Sequence, residues 1–382
     1  MKNRNKENKK SRQVTILPLA VMIVAPLAVY IATSYITEKN VSASERNTSS
    51  SFSASSLYDN WSFSDKIANK FGVNYLIVGD SIGQSTGASS TDSNWNILLE
   101  KKLKNEHEVN SYGQLITIGG GTAFDGLVNI YNKSNVDPDV IFLCYGQNDQ
   151  GKLEISEYQA IYEQLIIHIK QKYPNALIVS LTESSLSKTE TIETIKELSA
   201  YYGIINVDLK QAFEKTGKPY ETFTDDGVHP NDKGYEIYAS KIYNSIVNSS
   251  EKDDFKMPTN RLYADSNLFK ELHYTRLLEQ NNFSLTEDGA IEGRKIGSSL
   301  KVEFKGNMFG ISHLGHASGG VYEVYIDEEL IKTINTNVPF DITHTGFITD
   351  NLKDGNHVAK IIIKELPING SVVMNGYYTN DE

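Results

Sequence analysis

Residues 74–85 read NYLIVGDSIGQS, an apolar run that ends in Gly79-Asp80-Ser81. A short apolar run closed by turn residues is typical of a strand that is buried on both faces, as in a parallel sheet covered by helices. In such open sheets, ligands and reactive groups collect just beyond the carboxyl ends of the strands, and Ser81 falls there. This stretch therefore predicts a parallel α/β fold with a functional serine at one edge of its sheet.

Four more apolar runs follow the first one along the chain. The five predicted strands are 74–78, 114–118, 139–145, 176–182 and 204–208. Between them, apolar residues spaced three and four apart predict helices with one apolar face. These residues are Trp95, Leu98, Leu99 and Leu103; Tyr158, Ile161, Leu165 and Ile169; Ile192, Ile195, Leu198 and Tyr202; and Tyr235, Tyr238, Ile242 and Ile246. The alternation predicts a three-layer α/β/α sandwich over residues 66–250, with Ser156 as one N-cap and Gly203 at a helix end.

The pattern changes after Ser249, where a polar linker precedes a second domain at residues 260–382. Here apolar and polar residues alternate, as expected for half-buried strands, and turn signals such as LKDGNH separate the runs. The clearest alternations are Leu300-Val302-Phe304, Tyr322-Val324-Ile326 and Ala359-Ile361-Ile363. They predict an antiparallel, jelly-roll-like β-sandwich.

The N-terminus has the composition of a membrane signal. Residues 1–13 carry six basic groups and one acid, and residues 14–36 then run for 23 positions without a charge. This length is enough to span a bilayer, and the basic cluster places residues 1–13 in the cytoplasm and the rest of the chain outside. The small-residue pattern at 41–43 keeps a cleaved secretory signal open as the alternative. Either way, a Ser-rich linker at 37–65 leads to an exported domain.

Composition limits the class of protein and its partners. The chain has 382 residues, 39% hydrophobic and 22% charged, which is typical of a globular protein with more than one domain. Without the net +5 of residues 1–13, the total of −11 becomes −16, which argues against nucleic acid as a partner. Cys144 is the only cysteine, so the chain forms no internal disulfide. An exported chain of this kind is interpreted as a bacterial envelope protein.

A second motif, TDDGVHPNDKGY at residues 224–235, complements the serine. A serine hydroxyl becomes a good nucleophile when an imidazole removes its proton, and the imidazole needs a carboxylate to fix its tautomer. His229 and Asp226, three residues apart in a turn, can supply these two groups to Ser81. Asp225 lacks this spacing to His229 and is interpreted as an exposed turn residue.

Acyl transfer also requires hydrogen-bond donors aimed at the developing oxyanion. Three candidates are the backbone N–H of Ser81, the backbone N–H of Gly120 in the turn TIGGGTAFDGL, and the side-chain amide of Asn148 in GQND. Glycine suits the middle role because it lets the backbone approach the substrate closely. The glycine run alone does not distinguish Gly120 from its two glycine neighbours.

With these four blocks, GDSIGQS, IGGGTAFDGL, GQND and DGVHPN, the chain resembles the SGNH hydrolase family, also called GDSL-type esterases. The resemblance covers residues 70–248 and implies a flavodoxin-like fold. It implies Ser81 as nucleophile, His229 as base, Asp226 as its orienting group, and Gly120 and Asn148 as oxyanion donors beside Ser81. The first block departs from the family only in Ile82, which replaces a leucine.

Family members that remove O-acetyl groups from polysaccharides imply the same activity here, and some of them carry a β-sandwich resembling a carbohydrate-binding module. We therefore expect a membrane-tethered extracellular esterase whose substrate is an acylated polysaccharide or oligosaccharide. An O-acetyltransferase working with a membrane-bound acyl-transfer partner, and a non-catalytic glycan-binding protein, remain alternatives. We expect no cofactor or metal, because the glycine run lacks a phosphate-binding lysine motif and His313 and His316 lack further ligands.

Overall fold

A five-stranded parallel sheet forms the centre of the first part of the structure. The computed structural model describes residues 61–132, 137–247, 255–263 and 272–381. The strands of this sheet are β1 (Val73–Gly79), β2 (Ser111–Thr117), β3 (Val140–Cys144), β4 (Leu177–Thr182) and β5 (Ile205–Asp208). They are ordered β2-β1-β3-β4-β5, and every neighbouring pair is parallel. The five predicted strands are confirmed, although the second begins three residues before its predicted start.

Helices cover this sheet on both sides. They are α1 (Phe63–Ala68), α2 (Trp95–His107), α3 (Ala123–Asn132), α4 (Asp149–Lys152), α5 (Ile155–Lys172), α6 (Thr189–Tyr202), α7 (Leu209–Glu214) and α8 (Asp232–Val247). The four predicted helices correspond to α2, α5, α6 and α8. The sequence analysis missed α3, whose first residues lie in the glycine-rich block, and the three short helices α1, α4 and α7.

Alternation along each strand divides the core into two halves. On β1, Leu76 and Val78 pack into one hydrophobic cluster, and Tyr75 and Ile77 pack into another. Successive side chains of a strand point to opposite faces, so both faces of the sheet are buried. The three-layer α/β/α architecture is therefore confirmed.

Two details of the helix ends test the predicted caps. Helix α5 begins at Ile155 and its N-cap is Glu154, which forms a capping box with Glu157. The prediction of Ser156 as the N-cap is wrong, because the glutamate side chains satisfy the first N–H groups of a helix whose N-cap lies two residues earlier. Gly203 does end α6, in the left-handed conformation that glycine adopts at low cost.

The C-terminal part consists of two antiparallel sheets. Its strands are β6 (His273–Arg276), β7 (Phe283–Leu285), β8 (Ile291–Gly293), β9 (Ser299–Lys305), β10 (Phe309–Gly315), β11 (Val321–Ile326), β12 (Glu329–Asn335), β13 (Ile342–Thr349), β14 (Asn356–Glu365) and β15 (Val372–Thr379). One sheet has the order β13-β10-β15-β8-β7, with β6 also paired to β15, and the other has the order β12-β11-β14-β9. We refer to residues 272–381 as the β-domain.

The core of the β-domain lies between its two sheets. The three alternating runs predicted from the sequence fall on β9, β11 and β14, which belong to the four-stranded sheet, and all nine apolar residues are buried in one cluster. Residues such as Phe309, Ile311 and Met374 of the other sheet join that cluster. The predicted antiparallel β-rich domain is confirmed.

The β-domain packs directly against the α/β layers, and both belong to one compact unit. Phe124 of α3 meets Phe347 of β13 in an edge-to-face contact with ring centroids 5.2 Å apart. Met308 and Tyr378 of the β-domain join the same buried cluster as residues of the parallel sheet. A Cβ atom on Gly310 would lie 2.9 Å from the Phe124 ring, so the absence of a side chain at this position allows the close approach.

The predicted membrane anchor, residues 14–36, and the cytoplasmic tail before it lie outside the described residues. Among the helices that the structure describes, none is long and apolar enough to cross a membrane.

We expect Phe124→Ala to lower the free energy of unfolding by about 3–5 kcal/mol, because it removes a fully buried ring at the contact between α3 and β13. Urea denaturation followed by circular dichroism measures this change. Tyr112→Ala, at a side chain that is 64% exposed on the edge strand β2, is the control and should cost much less. Equal losses for the two variants would contradict the proposed contribution of this contact.

Candidate active site

Ser81 lies in the turn that follows β1. The N–H of Asp80 donates to the carbonyl of Cys144 (3.1 Å), and the Asp80 carboxylate accepts the N–H of Ile82 (2.8 Å). These bonds hold the backbone on both sides of Ser81, whose residue surface is only 8% exposed. The absence of a side chain at Gly79 allows this close approach to β3, since a Cβ atom on Gly79 would lie 2.9 Å from the Cβ of Cys144. The nucleophile candidate is thus fixed where the strand ends.

The structure brings Ser81, His229 and Asp226 together, as the sequence predicts. His229 Nε2 lies 2.8 Å from Ser81 Oγ, and His229 Nδ1 lies 2.6 Å from Asp226 Oδ2. These distances match hydrogen bonds of a nucleophile to its base and of the base to its orienting carboxylate. Ser81 and His229 are 148 residues apart, but both occupy the carboxyl edge of the sheet.

The Asp226 carboxylate is held by its own turn. Its second oxygen, Oδ1, accepts the backbone N–H groups of Val228 and His229, each at 2.8 Å. Partial burial opposes ionisation, but the hydrogen bonds from the His229 ring and from these two N–H groups outweigh it. The pKa of Asp226 is therefore below its usual range. The carboxylate stays charged and can stabilise the imidazolium that forms during proton transfer.

Three further contacts tie the loop after Ser81 to the segment that carries His229. The hydroxyl of Tyr235 donates to the carbonyl of Thr86 (2.6 Å), and the Asp232 carboxylate accepts the N–H and the hydroxyl of Ser89 (2.7 and 2.6 Å). Gly87, at φ +98°, lies where a Cβ atom would be 2.6 Å from the carbonyl of Pro230. These contacts could not be predicted from the sequence, because nothing in either segment alone identifies its partner.

The glycine-rich turn presents Gly120 in a distinct conformation. Gly120 has φ +72°, in the left-handed region, and the N–H of Gly121 is used in a bond to the carbonyl of Ile118 (2.9 Å). Within the described ranges, no hydrogen-bond acceptor receives the N–H of Gly120 or of Ser81. The ammonium group of Lys152 donates to the carbonyl of Gly120 (2.6 Å) and helps to fix the loop. The geometry thus leaves the two predicted backbone donors available to an oxyanion.

Asn148, the third predicted donor, is held by two acceptors. Its Nδ2 atom donates to Asp80 Oδ2 (2.8 Å) and to the carbonyl of Gly121 (3.0 Å). An amide nitrogen has two hydrogens, so both are engaged here. The predicted oxyanion role of Asn148 requires the substrate to replace one of these acceptors, and the Gly121 carbonyl belongs to the loop that the substrate would contact.

Beneath these donors lies a buried group that the sequence analysis did not identify as a unit: Asp80, Cys144 and Glu183. Their ligand atoms lie within 4.8 Å of one another, and in the described part of the chain they are the one group of three or more such side chains that could hold a metal ion. Each of the three side chains already has a hydrogen-bond partner within the protein. Cys144 Sγ donates to Glu183 (3.1 Å), and Glu183 accepts the N–H of Gln147 (2.9 Å).

Burial governs the charges of this group. It raises the pKa of Asp80 well above the usual range, and the negative charge of Glu183 adds to the effect. Burial also raises the pKa of Glu183, and the two carboxyl groups can hold one proton between them. The pKa of Cys144 is raised as well, by burial first and then by Glu183 and Asp80. Cys144 is therefore an uncharged buried thiol and not a second nucleophile.

A further buried carboxylate, Asp125, joins the glycine-rich turn to the β-domain. Its Oδ2 atom accepts the N–H of Thr122 (2.8 Å), at the end of the turn, and its Oδ1 atom accepts the N–H of Thr345 on β13 (2.6 Å). Asp125 is 2% exposed, and a buried charge needs such partners. The position of the oxyanion turn is thus coupled to the docking of the β-domain.

The sequence comparison finds a family similarity within the α/β domain. Residues 77–237 match the model of the GDSL-like Lipase/Acylhydrolase family. No protein of curated function gives a significant match to this chain.

Solved structures are similar to this chain at low sequence identity. A two-domain esterase active on acetylated mannans, co-crystallised with mannopentaose, aligns with a TM-score of 0.65 at 15% identity, covering 82% of this chain and 92% of that one. An acetylxylan esterase from Geobacillus stearothermophilus aligns at 20% identity with a TM-score of 0.39, covering 46% of this chain and 94% of that one. The similarity to the two-domain structure extends over both the α/β layers and the β-domain.

We expect Asp226→Asn to lower kcat for an activated acetyl ester by roughly 10²- to 10⁴-fold, because the amide no longer fixes the tautomer of His229 or stabilises its charged form. Steady-state kinetics with 4-nitrophenyl acetate measures the loss. Asp225→Asn is a matched control next to it, since Asp225 contacts only the Asn231 amide, at 3.5 Å, among the hydrogen bonds of the described residues. A similar loss in both variants would refute the specific role of Asp226.

The depressed pKa of Asp226 also predicts the pH profile. The carboxylate stays ionised below the usual range of an aspartate, so the pH dependence of kcat/KM should come from a single catalytic base, with no contribution from Asp226. A plot of log kcat/KM against pH should have a limiting acid slope of about 1. A slope near 2 would show that a second group, such as Asp226, titrates in the same range.

Proposed function

We propose that this protein is an extracellular serine esterase that removes O-acetyl groups from a cell-wall or extracellular polysaccharide, because residues 77–237 match the GDSL-like Lipase/Acylhydrolase family and contain a serine, a histidine and an aspartate in hydrogen-bond contact. The observation that carries the proposal is the continuous hydrogen-bond path from Ser81 Oγ through the His229 ring to Asp226. This path supplies a nucleophile, a base and an orienting carboxylate in one site.

The geometry supports a two-step mechanism. His229 Nε2 takes the proton of Ser81 as Oγ attacks the acetyl carbonyl, and the N–H groups of Ser81 and Gly120 receive the oxyanion. The same proton then passes from His229 to the sugar oxygen as the ester bond breaks, which leaves an acetyl group on Ser81. Water, deprotonated by His229, releases acetate and restores the serine.

The choice of a glycan substrate is supported by the β-domain. The domain lies against the catalytic layers, and Asp125 connects its strand β13 to the turn that carries Gly120. A two-domain esterase active on acetylated mannans has the same two-part architecture. The negative net charge of the chain also fits a neutral polymer better than an anionic one.

We further propose that the uncharged segment 14–36 anchors the protein in the cell membrane with its catalytic part outside, unless that segment is cleaved as a secretory signal. A membrane position also favours a second candidate function. An O-acetyltransferase would use the same acyl-enzyme but would pass the acetyl group to a sugar hydroxyl, and a membrane-bound partner would deliver that group across the bilayer. The two functions differ in whether water or sugar reaches the acyl-enzyme first.

The test measures free acetate and acetylated sugar in the same reaction. The full-length protein is incubated with acetylated glycans, and separately with 4-nitrophenyl acetate plus unacetylated glycans. We expect free acetate to dominate, and Ser81→Ala to abolish its release while the melting temperature changes little. Dominant transfer to sugar would favour the transferase instead.

A serine-directed fluorophosphonate probe provides the control for catalytic competence. The probe should label the unmodified protein and should not label Ser81→Ala. Failure to label the unmodified protein would contradict both enzymatic candidates and favour the non-catalytic glycan-binding alternative.

A further inference from the structure

The edge of the β-domain comes close to the catalytic turn at the start of β13. A Cβ atom placed on Gly119 would lie 3.7 Å from Phe340 Cζ, 3.7 Å from Ile342 Cδ1 and 3.8 Å from Gln84 Nε2. Gln84 belongs to the nucleophile turn, three residues after Ser81. Phe340 and Ile342 therefore lie beside the turn that carries the nucleophile and beside the turn that carries the predicted oxyanion donor.

His344 lies on the same strand, two residues after Ile342. A Cβ atom placed on Gly120 would lie 3.6 Å from His344 Cε1 and 3.8 Å from His344 Nε2. The other groups that face this imidazole are the Asp125 carboxylate (Nδ1 to Oδ1, 3.9 Å), the Lys152 ammonium group and the ring of His313. Because strand residues two apart share a face, Ile342 and His344 point the same way, toward the glycine-rich turn.

The imidazole of His344 suits an uncharged ligand. Burial lowers its pKa, and the positive charge of Lys152 lowers it further, while Asp125 acts in the opposite direction. A neutral imidazole has one nitrogen that donates and one that accepts. Such a group can bind hydroxyl groups, which also donate and accept.

Phe340 stands out by its exposure at this position. Its residue surface is 57% exposed, although it is a large apolar side chain next to the catalytic turns. An exposed aromatic ring beside a reactive centre offers an apolar surface that a ligand can cover. The pyranose ring of a sugar presents C–H groups on its faces and hydroxyl groups around its edge, so it can stack on Phe340 while its hydroxyls reach the imidazole.

The edge is held firmly in place. The carboxylate of Asp125 accepts the N–H of Thr345 at 2.6 Å, and Phe347 packs on Phe124 of α3. Both anchors lie within a few residues of His344 on the same strand, so the strand cannot move away from the glycine-rich turn without breaking them.

We propose that Phe340, Ile342 and His344 form a sugar-binding wall of the catalytic cleft, in which Phe340 carries a sugar ring of the acetylated glycan and His344 binds its hydroxyl groups. The inference rests on the proposed function in that the glycan is the substrate of Ser81. It assigns substrate recognition at the catalytic centre itself to residues of the β-domain.

The decisive experiment compares a small ester with acetylated glycans in three variants of the full-length protein. The probes are 4-nitrophenyl acetate and chemically acetylated manno-oligosaccharides and xylo-oligosaccharides. We expect Phe340→Ala to lower the ratio of kcat/KM for the glycan to kcat/KM for 4-nitrophenyl acetate by about tenfold, mainly through KM, because the small ester does not extend to the wall. An unchanged ratio would overturn the proposal.

Leu285→Ala is the matched control. Leu285 is 56% exposed and lies on β7, at the opposite end of the same sheet from β13. Its variant should keep the ratio of the unmodified protein. Phe340→Tyr retains the ring and should restore glycan activity, which separates loss of stacking from disturbed folding.

A binding measurement separates failure of this inference from failure of the proposed function. Calorimetry with the acetylated oligosaccharides is performed on Ser81→Ala and on Ser81→Ala combined with Phe340→Ala. Binding that depends on Phe340, without acetate release by the unmodified protein, would support the wall and contradict the esterase. Acetate release that is insensitive to Phe340→Ala would support the esterase and contradict the wall, and neither binding nor release would contradict both.

Discussion

Buried carboxylates hold the catalytic loops together at the carboxyl edge of the parallel sheet. Loops that leave the strand ends have backbone N–H groups outside the ladder, and these groups must find acceptors when they are buried. Asp80 accepts the N–H of Ile82, Glu183 that of Gln147, and Asp125 that of Thr122. Asp149 accepts the N–H groups of Ala123 and Gly146 (2.8 and 3.0 Å). The turns that carry Ser81, Gly120 and Asn148 therefore depend on buried acids beneath them.

This arrangement limits how much charge the interior contains. Burial raises the pKa of Asp149 to about 7, although the N–H of Ala123 acts against the shift, and Asp80 and Glu183 shift in the same direction. Protonated carboxyl groups in this network reduce the cost of desolvation while the remaining oxygens still accept N–H groups. Asp226 is the opposite case, since its turn stabilises the charged form. The acids that position loops are thus different residues from Asp226, the acid that assists His229.

Much of the fold could be predicted from local pattern. The strand NYLIV could be predicted because it is a short apolar run closed by turn residues. The helix stripe around Leu165 has a clear spacing of three and four, and the alternation of Leu300, Val302 and Phe304 marks a half-buried strand. Helix α3 was missed because its N-terminus overlaps the glycine-rich block and its apolar face serves partly to receive the β-domain. Ser156 failed as a cap because Glu154 and Glu157 offered a competing capping box.

Some residues of the candidate site could be predicted from the sequence, and others could not. Ser81, Asp226 and His229 were predictable because each sits in a short motif with a chemical meaning, and the structure places them within hydrogen-bond distance. Glu183 and Lys152 have no such motif, since each acts on a loop distant in sequence. Asp125 lies in the glycine-rich block, but its bond to Thr345 joins residues that are 220 positions apart. The engagement of both Asn148 amide hydrogens is likewise a property of three-dimensional arrangement, because its partners belong to two other loops.

The bond between Asp125 and Thr345 uses the backbone N–H of Thr345 and not its side chain. Every amino acid except proline offers that donor, so the residue at this position can drift in evolution without loss of the contact. Insertion or deletion of one residue in β13 has a different consequence, because it would turn a different set of side chains toward the glycine-rich turn. The alignment of β13 with the catalytic layers is therefore more sensitive to the length of the strand than to the identity of residue 345.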